Sequence, residues 1–280
     1  MARIQLGNES IYYTGPRRAD SNGPTAFSLV GIHGSGGSHQ SWPGQLRSPV
    51  AGSVGAASST GSNRKCRLPA VAVYLIDLPG HGRSTGNGRT RIDAYVDFIE
   101  NFVAALQLER VILAGHSLGG GIALQAALRR PPWLAGLILV GTGARLRVHP
   151  DLLNGLRDRY PEAVDWICRR GFGPDASEAL IQGSRQALLE TDPDVTWGDF
   201  AACHAFDVMA QIQTILCPAL IVSGSDDRLT PPEYGLFLKN KIRNSRYRLI
   251  QRAGHMMALE KPRAFINALA TFLSDWPDIR

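Results

Sequence analysis

The sequence predicts an α/β fold, in which helices flank a mostly parallel, twisted sheet on both faces. Short apolar runs of strand length end in glycine-rich segments, and strands that are apolar on both faces are typical of a covered parallel sheet. Segments with the helical spacing of apolar residues alternate with these runs. Such alternation favours strand–helix–strand units with right-handed crossovers.

The predicted strands follow one another along the whole chain. Residues 4–6 and 10–14 flank Gly7-Asn8-Glu9 and predict an N-terminal hairpin. Because binding sites in parallel sheets form at the carboxyl ends of the strands, chemistry is expected in the segments that follow each strand. Buried strands are predicted at 27–32, 71–76, 111–114, 137–140 and 220–222, and a last strand is predicted at 247–250.

Helices are predicted between the strands. From Ile92 to Leu106 the apolar residues recur at i, i+3, i+4 and i+7, which gives one buried stripe. A second helix is predicted to begin at Ile122, straight after the strand at 111–114, and an amphipathic helix at 265–273 is the last element. These helices would cover the faces of the sheet.

Two segments break the alternation of strand and helix. Residues 47–69 are rich in glycine, serine and alanine and predict a mobile surface insertion. Residues 145–210 contain helical stretches and aromatic residues without a clear strand, which predicts a helical cap over the edge of the sheet. We therefore divide the chain into a core of residues 1–144 and 211–280 and a cap of residues 145–210.

Composition limits the class of protein. Of the 280 residues 44% are hydrophobic and 19% are charged, which indicates a globular chain long enough to bury a full core. No apolar run reaches the ~18 residues of a membrane span, and the N-terminus lacks the apolar region of a secretory signal. The formal net charge of +6 comes without a nucleic-acid recognition motif. We expect neither a membrane nor a nucleic acid as partner.

The cysteines Cys66, Cys168, Cys203 and Cys217 stand far apart, with no C-x-x-C. This spacing predicts neither a structural zinc site nor a disulfide framework, and it favours reduced thiols in the cytoplasm. The sequence also lacks H-E-x-x-H, P-loop and dinucleotide-binding patterns. We expect no metal and no cofactor, and the oligomeric state, monomer or homodimer, stays open.

The strongest chemical motif is a G-x-S-x-G centred on Ser117. It lies between the predicted strand at 111–114 and the helix that follows. A turn this tight needs small residues on both sides of the serine, and it holds the hydroxyl clear of the backbone at a helix N-terminus. We therefore predict Ser117 as a nucleophile.

A serine hydroxyl needs a base, and the base needs an acid to orient it. His255 follows the last predicted strand and would lie at the same sheet edge as Ser117. The strand at 220–222 is followed by two adjacent carboxylates, Asp226 and Asp227. Neighbouring side chains on an extended loop point in different directions, so one of the two can reach the imidazole.

These motifs resemble those of the α/β-hydrolase family and keep its order of serine, acid and histidine. In that family the acid commonly stands as G-x-x-D-x-(Ile or Leu)-x-Pro. This pattern selects Asp227, with Asp226 as the alternative. The shared motifs are H-G-S-G-G at 33–37, D-L-P-G-H-G at 77–82, G-H-S-L-G-G at 115–120, G-S-D-D-R-L-T-P at 224–231 and G-H at 254–255.

The resemblance also implies how the substrate is held. Two backbone N–H groups should stabilise an oxyanion: one from Leu118 after the nucleophile, and one from Ser35, with Gly36 as the alternative. His33 and His81 resemble loop-bracing histidines. The residues predicted beside the substrate are Gly34, Gly36, Trp42, His116 and Met256, with packing as the alternative role of Trp42 and a contact with the neighbouring loop as that of His116.

The predicted reaction is hydrolysis of a carboxylic ester with a small to medium, partly apolar acyl group, with water as the second reactant. Relatives that open epoxides or displace halide carry aspartate where this chain has Ser117. Relatives that cleave carbon–carbon bonds usually carry an aromatic after the histidine, where this chain has Met256. The alternatives are carbon–carbon hydrolysis, a cofactor-free perhydrolase, and a non-catalytic small-molecule binding protein of the same fold.

Overall fold

A computed structural model describes residues 2–15, 27–47 and 71–276, and within them eight strands form one sheet in the order β1-β2-β4-β3-β5-β6-β7-β8. The pairs β1–β2 and β2–β4 are antiparallel, and all other pairs are parallel. The strands are β1 (Ala2–Leu6), β2 (Glu9–Thr14), β3 (Ser28–Ile32), β4 (Ala72–Ile76), β5 (Val111–His116), β6 (Leu134–Val140), β7 (Ala219–Gly224) and β8 (Ser245–Ile250).

The predicted fold class is confirmed, because helices bury both faces of the central strands. Successive side chains of a strand point to opposite faces. In β3, Val30 packs into the cluster that contains Ile99, while Leu29 packs into the cluster that contains Leu269. Because side chains on both faces of the sheet are buried, the sequences of the central strands are apolar throughout. The helices of the core are α1 (Gly44–Arg47), α2 (Ile92–Ala105), α3 (Leu118–Arg129), α8 (Pro232–Lys241), α9 (Met257–Glu260) and α10 (Pro262–Ser274).

The core helices differ from the prediction mainly at α3 and α8, and the short helices α1 and α9 were not predicted either. Helix α3 begins at Leu118 rather than Ile122, because close packing, not helix propensity, decides the first turn. A Cβ on Gly119 would lie 2.3 Å from the carbonyl oxygen of Ile32, so only glycine fits there. Helix α8 was not predicted, since its sequence contains a proline and a glycine and shows no clear apolar stripe.

Four helices lie between β6 and β7, where the sequence predicts a helical segment without strands. We call α4 to α7 the cap helices. Arg145 and Asp207 form an isolated antiparallel bridge at the base of this segment, and their side chains pair at 3.8 Å. The two ends of the cap segment therefore lie side by side. The cap helices are α4 (Pro150–Asp158), α5 (Tyr160–Gly171), α6 (Glu178–Glu190) and α7 (Pro193–Ala205).

The predicted insertion at 47–69 lies outside the described residues, apart from Arg47 at the end of α1. Among the helices of the described ranges, none combines the length and the apolar character that a membrane crossing requires. The carboxyl ends of β3, β5, β7 and β8 lie along one edge of the parallel sheet, and this edge carries the residues predicted to do chemistry.

Candidate active site

Ser117 occupies a strained turn between β5 and α3. Its backbone dihedrals are φ 55° and ψ −115°, a region that non-glycine residues seldom adopt. The turn is closed by a hydrogen bond from the Ser117 N–H to the oxygen of Val140 at 2.9 Å. A Cβ on Gly115 would lie 2.1 Å from the oxygen of Gly119. The strand and helix can approach this closely only because both flanking positions are glycine.

The side chains of Asp227 and His255 meet at the ends of β7 and β8. The Nδ1 atom of His255 lies 2.9 Å from Oδ2 of Asp227. The other carboxylate oxygen accepts hydrogen bonds from the N–H groups of Leu229 and Thr230, both at 2.9 Å. The hydroxyl of Thr230 donates to Oδ2 at 2.9 Å and lies 3.1 Å from Nδ1 of His255. The carboxylate is therefore fixed at both oxygens.

These contacts determine the charge of the acid and the tautomer of the base. Burial alone would raise the pKa of Asp227, but the attraction of His255 and the hydrogen bonds from His255, Thr230 and Leu229 outweigh it and lower the pKa. An ionised carboxylate can only accept a hydrogen bond, so Nδ1 of His255 is the donor. The hydrogen-bond pattern therefore assigns the proton of neutral His255 to Nδ1 and leaves Nε2 as an acceptor.

Asp226, the alternative acid, has a different partner. Its Oδ2 accepts a hydrogen bond from the hydroxyl of Ser225 at 2.7 Å, and its backbone N–H donates to Ala253. Of the two carboxylates, Asp227 is therefore the one that contacts His255, as the sequence pattern predicts. Thr230, which the sequence analysis did not single out, lies inside the same motif and could have been recognised there by its hydroxyl.

Ser117 and His255 both line a cavity of about 560 Å³ between the sheet edge and the cap helices. This volume lies within the ~300–1,000 Å³ typical of small-molecule sites. The predicted contact residues Gly34, Gly36, His116 and Met256 line it too. Its apolar wall includes Leu152, Trp166, Ile167, Phe172, Leu180, Leu188, Phe200, Leu229 and Leu259.

Trp42 does not line the cavity, which corrects its predicted place beside the substrate. The indole is 1% exposed and packs against Phe265 of α10, with the ring centroids 6.1 Å apart. A Cβ on Gly31 would lie 3.2 Å from the indole atoms. The absence of a side chain at Gly31 therefore makes room for Trp42 in the core. The indole thus has the packing role that the sequence analysis gives as the alternative for Trp42.

The loop after β3 carries the two candidates for one of the predicted oxyanion donors, Ser35 and Gly36. Ser35 and Gly36 both line the cavity, but the N–H of Gly36 donates to Oδ2 of Asp199 at 2.8 Å. The N–H of Gly36 therefore already has an acceptor, and the N–H of Ser35 is the better candidate for the oxyanion donor. The N–H of Leu118 belongs to the first turn of α3, where N–H groups have no acceptor within the helix.

Three buried histidines support the loops around the site. His116 faces the neighbouring loop: its Nε2 lies 2.9 Å from the carbonyl oxygen of His255, and burial followed by the charge of His255 lowers the pKa of His116 to about 3. His33 donates from Nδ1 to Gly34 at 2.8 Å and accepts at Nε2 from Leu78. Burial, then the nearby His81, lowers its pKa to about 4. Both rings are neutral braces at pH 7.

His81 differs from the other two, because its ring bridges a carbonyl and a carboxylate. Its Nδ1 lies 3.0 Å from the oxygen of Pro79, and its Nε2 lies 2.8 Å from Oδ2 of Asp199. Asp199 is a cap residue on α7, and no sequence motif marks it.

Within the described ranges there is no group of three or more His, Cys, Asp or Glu residues able to hold a metal ion.

Comparison with known proteins points to one family. The profile of the "Alpha/beta hydrolase family" matches residues 29–268. A pimeloyl-[acyl-carrier protein] methyl ester esterase of Neisseria meningitidis is 31% identical over 74% of this chain and 70% of its own. A putative carbamate hydrolase, RutD, of Pseudomonas syringae is 29% identical over 62% and 71%. The solved structure of a thermophilic esterase, 29% identical, superimposes with a TM-score of 0.78 over 98% and 96%.

The buried histidines predict a loss of stability in acid. The native pKa of His116 is about 3, whereas an unfolded histidine titrates near ~6.5. The unfolded chain therefore binds the proton first, and stability falls as the pH drops below ~6.5. Between pH 7 and 5 this group contributes a loss of about 2 kcal/mol.

Urea unfolding of the wild type and of His116→Gln at pH 7 and pH 5 measures this contribution. The variant is expected to lose about 2 kcal/mol less than the wild type between the two pH values. Comparing the two proteins cancels the contributions of the other histidines. The same loss in both proteins would contradict a neutral, buried His116.

Proposed function

The chain belongs to the alpha/beta hydrolase family, and we propose that it is a serine hydrolase that cleaves carboxylic esters through an acyl-enzyme on Ser117. The observation that carries the residue assignment is the 2.9 Å contact between His255 and Asp227, at the wall of the cavity that Ser117 also lines. Ester-cleaving relatives support the reaction class.

The proposed reaction runs in two halves. Ser117 attacks the acyl carbon while Nε2 of His255 takes the hydroxyl proton, and the imidazolium then gives this proton to the leaving alkoxide. Water activated by the same nitrogen attacks the acyl-enzyme and releases the acid. Asp227 stays ionised throughout, holds the ring in the Nδ1–H tautomer and stabilises the imidazolium. The lowered pKa of Asp227 supports this role.

The proposed oxyanion hole consists of the N–H groups of Ser35 and Leu118. Both N–H groups are held in a fixed orientation before the reaction begins, so they stabilise negative charge as it forms on the carbonyl oxygen. Two features support the choice of Ser35: it lines the cavity, and the next N–H along the loop, that of Gly36, is bound to Asp199.

The alternatives are less well supported. A carbon–carbon hydrolase of this family usually has an aromatic after the histidine, where this chain has Met256. A perhydrolase would use the same three residues, and the relatives named as an esterase and as a putative carbamate hydrolase favour water as the acceptor. A non-catalytic binding protein needs no strained serine, and strain of this kind is kept where function requires it.

The shape of the cavity supports a small to medium acyl group. Its apolar lining comes mainly from the cap helices, so we propose that residues 145–210 act as a cap on the core of residues 1–144 and 211–280. We also propose a cytoplasmic location, because the thiols of Cys168, Cys203 and Cys217 are free and a reducing compartment keeps them so.

The charges at the cavity favour an ester with an anionic end. Arg47, Arg147 and Arg228 line it, whereas no Asp or Glu among the described residues does. Within the described part of the chain, neither Arg147 nor Arg228 forms an ion pair. We propose that the acyl group is apolar near the ester and carries a carboxylate at its far end, where it faces these two guanidinium groups.

Ser117→Ala is expected to abolish hydrolysis of p-nitrophenyl butyrate, because the acyl-enzyme cannot form. Loss of a nucleophile of this kind lowers kcat by up to about 10⁶. Ser184→Ala is the matched control, since Ser184 lines the same cavity but has no part in the mechanism. Activity that survives in Ser117→Ala would rule out the assignment.

Asp227→Asn and Asp226→Asn form a matched pair of adjacent substitutions. The first replaces the acceptor that fixes the His255 tautomer, and kcat is expected to fall by about 10⁴. The second removes a charge from a side chain that contacts Ser225, and kcat should change less than about twofold. Steady-state kinetics measures kcat for both variants. A larger loss of kcat in Asp226→Asn than in Asp227→Asn would assign the acid to Asp226.

A pair of esters with acyl chains of equal length tests the anionic end. The p-nitrophenyl hemi-ester of glutaric acid should be preferred over p-nitrophenyl pentanoate in kcat/KM. The double variant Arg147→Gln/Arg228→Gln should lower that preference about fivefold, because exposed ion pairs contribute up to ~1 kcal/mol each. The distant, exposed Arg243→Gln serves as control. A preference that the double variant leaves unchanged would contradict the anionic substrate.

A further inference from the structure

Asp199 is a buried carboxylate that joins the cap to the loop beside the nucleophile. It lies on α7 and is 0% exposed. Its Oδ2 accepts hydrogen bonds from the N–H of Gly36 and from Nε2 of His81, both at 2.8 Å. Its Oδ1 accepts a hydrogen bond from the hydroxyl of Tyr95. One side chain thus binds the loop after β3, the loop after β4 and helix α2.

The charge of Asp199 is compensated by His81. Both ring nitrogens of His81 face acceptors, the oxygen of Pro79 and the carboxylate of Asp199, which requires a proton on each. Burial alone would lower the pKa of His81, but attraction and hydrogen bonding to Asp199 outweigh it and raise the pKa. These hydrogen bonds give the buried carboxylate of Asp199 the donors that it needs.

The cap holds Gly36 at both of its backbone polar groups. Asp199 accepts from its N–H, and the hydroxyl of Thr191 donates to its carbonyl oxygen at 3.0 Å. Gly36 has φ +63°, and a Cβ there would lie 2.6 Å from Cδ2 of Leu188. The loop is thus clamped one residue after Ser35, whose N–H is the proposed oxyanion donor.

We propose that Asp199 is a positioning residue for the oxyanion hole: hydrogen-bonded to His81, it fixes Gly36 and thereby the direction of the Ser35 N–H. The inference rests on the proposed function. It makes the cap part of the catalytic machinery as well as a wall of the cavity, because the clamp on the loop is supplied by α7. Catalysis then requires that the cap be docked on the loop.

The physical consequence is specific to the transition state. An oxyanion donor interacts most strongly with the negative charge of the tetrahedral intermediate and less with the planar ester. Loss of the clamp is therefore expected to lower kcat and leave KM nearly unchanged. Complete removal of one donor costs about 10²–10³ in kcat, so displacement of the donor should cost about 10–100-fold.

Asp199→Ala tests the clamp, with Asp194→Asn as the matched control on the exposed side of the same helix. For Asp199→Ala we expect a 10–100-fold loss in kcat on p-nitrophenyl butyrate with KM within about threefold. The affinity for an alkyl boronic acid, which forms a tetrahedral adduct with the serine, should fall in parallel with kcat. Asp199→Asn keeps one acceptor oxygen and should lie between the wild type and the alanine variant.

Circular dichroism and thermal unfolding show whether each variant is folded. If Asp199→Ala does not fold, Asp199→Asn and Thr191→Val are used, and each should lower kcat by several-fold at nearly constant KM. Folded variants with unchanged kcat, or with a loss confined to KM, would overturn the inference. Wild-type protein without Ser117-dependent ester hydrolysis would instead overturn the proposed function, so the two failures are distinguishable.

Discussion

The close approach of α3 to the sheet is the constraint on which the site depends. Ser117 can adopt φ 55° only because the flanking glycines let the helix backbone touch the strands: a Cβ on Gly119 would meet the oxygen of Ile32, and one on Gly115 the oxygen of Gly119. The unfavourable backbone conformation of the serine is stabilised by this packing and by the hydrogen bond to Val140. The hydroxyl therefore lies at the helix N-terminus, at the edge where the other loops meet.

Buried pairs of histidine and aspartate organise that edge. Asp227 contacts His255, Asp199 contacts His81 and Asp77 contacts His39, at 2.8–2.9 Å in each pair. Burial of a carboxylate is costly without a hydrogen-bonded partner, so each pair fixes the segments that carry its two members. One pair belongs to the proposed catalytic residues and another clamps the loop with the proposed oxyanion donor. Fixed loops leave the N–H groups and the imidazole oriented before substrate arrives, which is what electrostatic catalysis requires.

The sequence predicts the core of this structure well, because buried strands and the turn at Ser117 are encoded locally. Apolar runs mark the strands, and the glycines that permit the turn stand beside the serine. The start of α3 was predicted too late, since the glycines that lower helix propensity are there for packing. Trp42 and Asp199 show what the sequence alone does not predict. The indole packs on Phe265, and the carboxylate binds Gly36 and His81, partners more than a hundred residues away that no local pattern identifies.

Covalent labelling tests the proposed nucleophile most directly, since the mechanism requires one activated hydroxyl. The protein is treated with an alkyl fluorophosphonate, the residual esterase activity is followed, and the modified peptide is identified by mass spectrometry. We expect one phosphonyl group per chain, on Ser117, with activity lost in proportion to labelling. A label on another residue, or full activity after Ser117 is modified, would contradict the proposed mechanism.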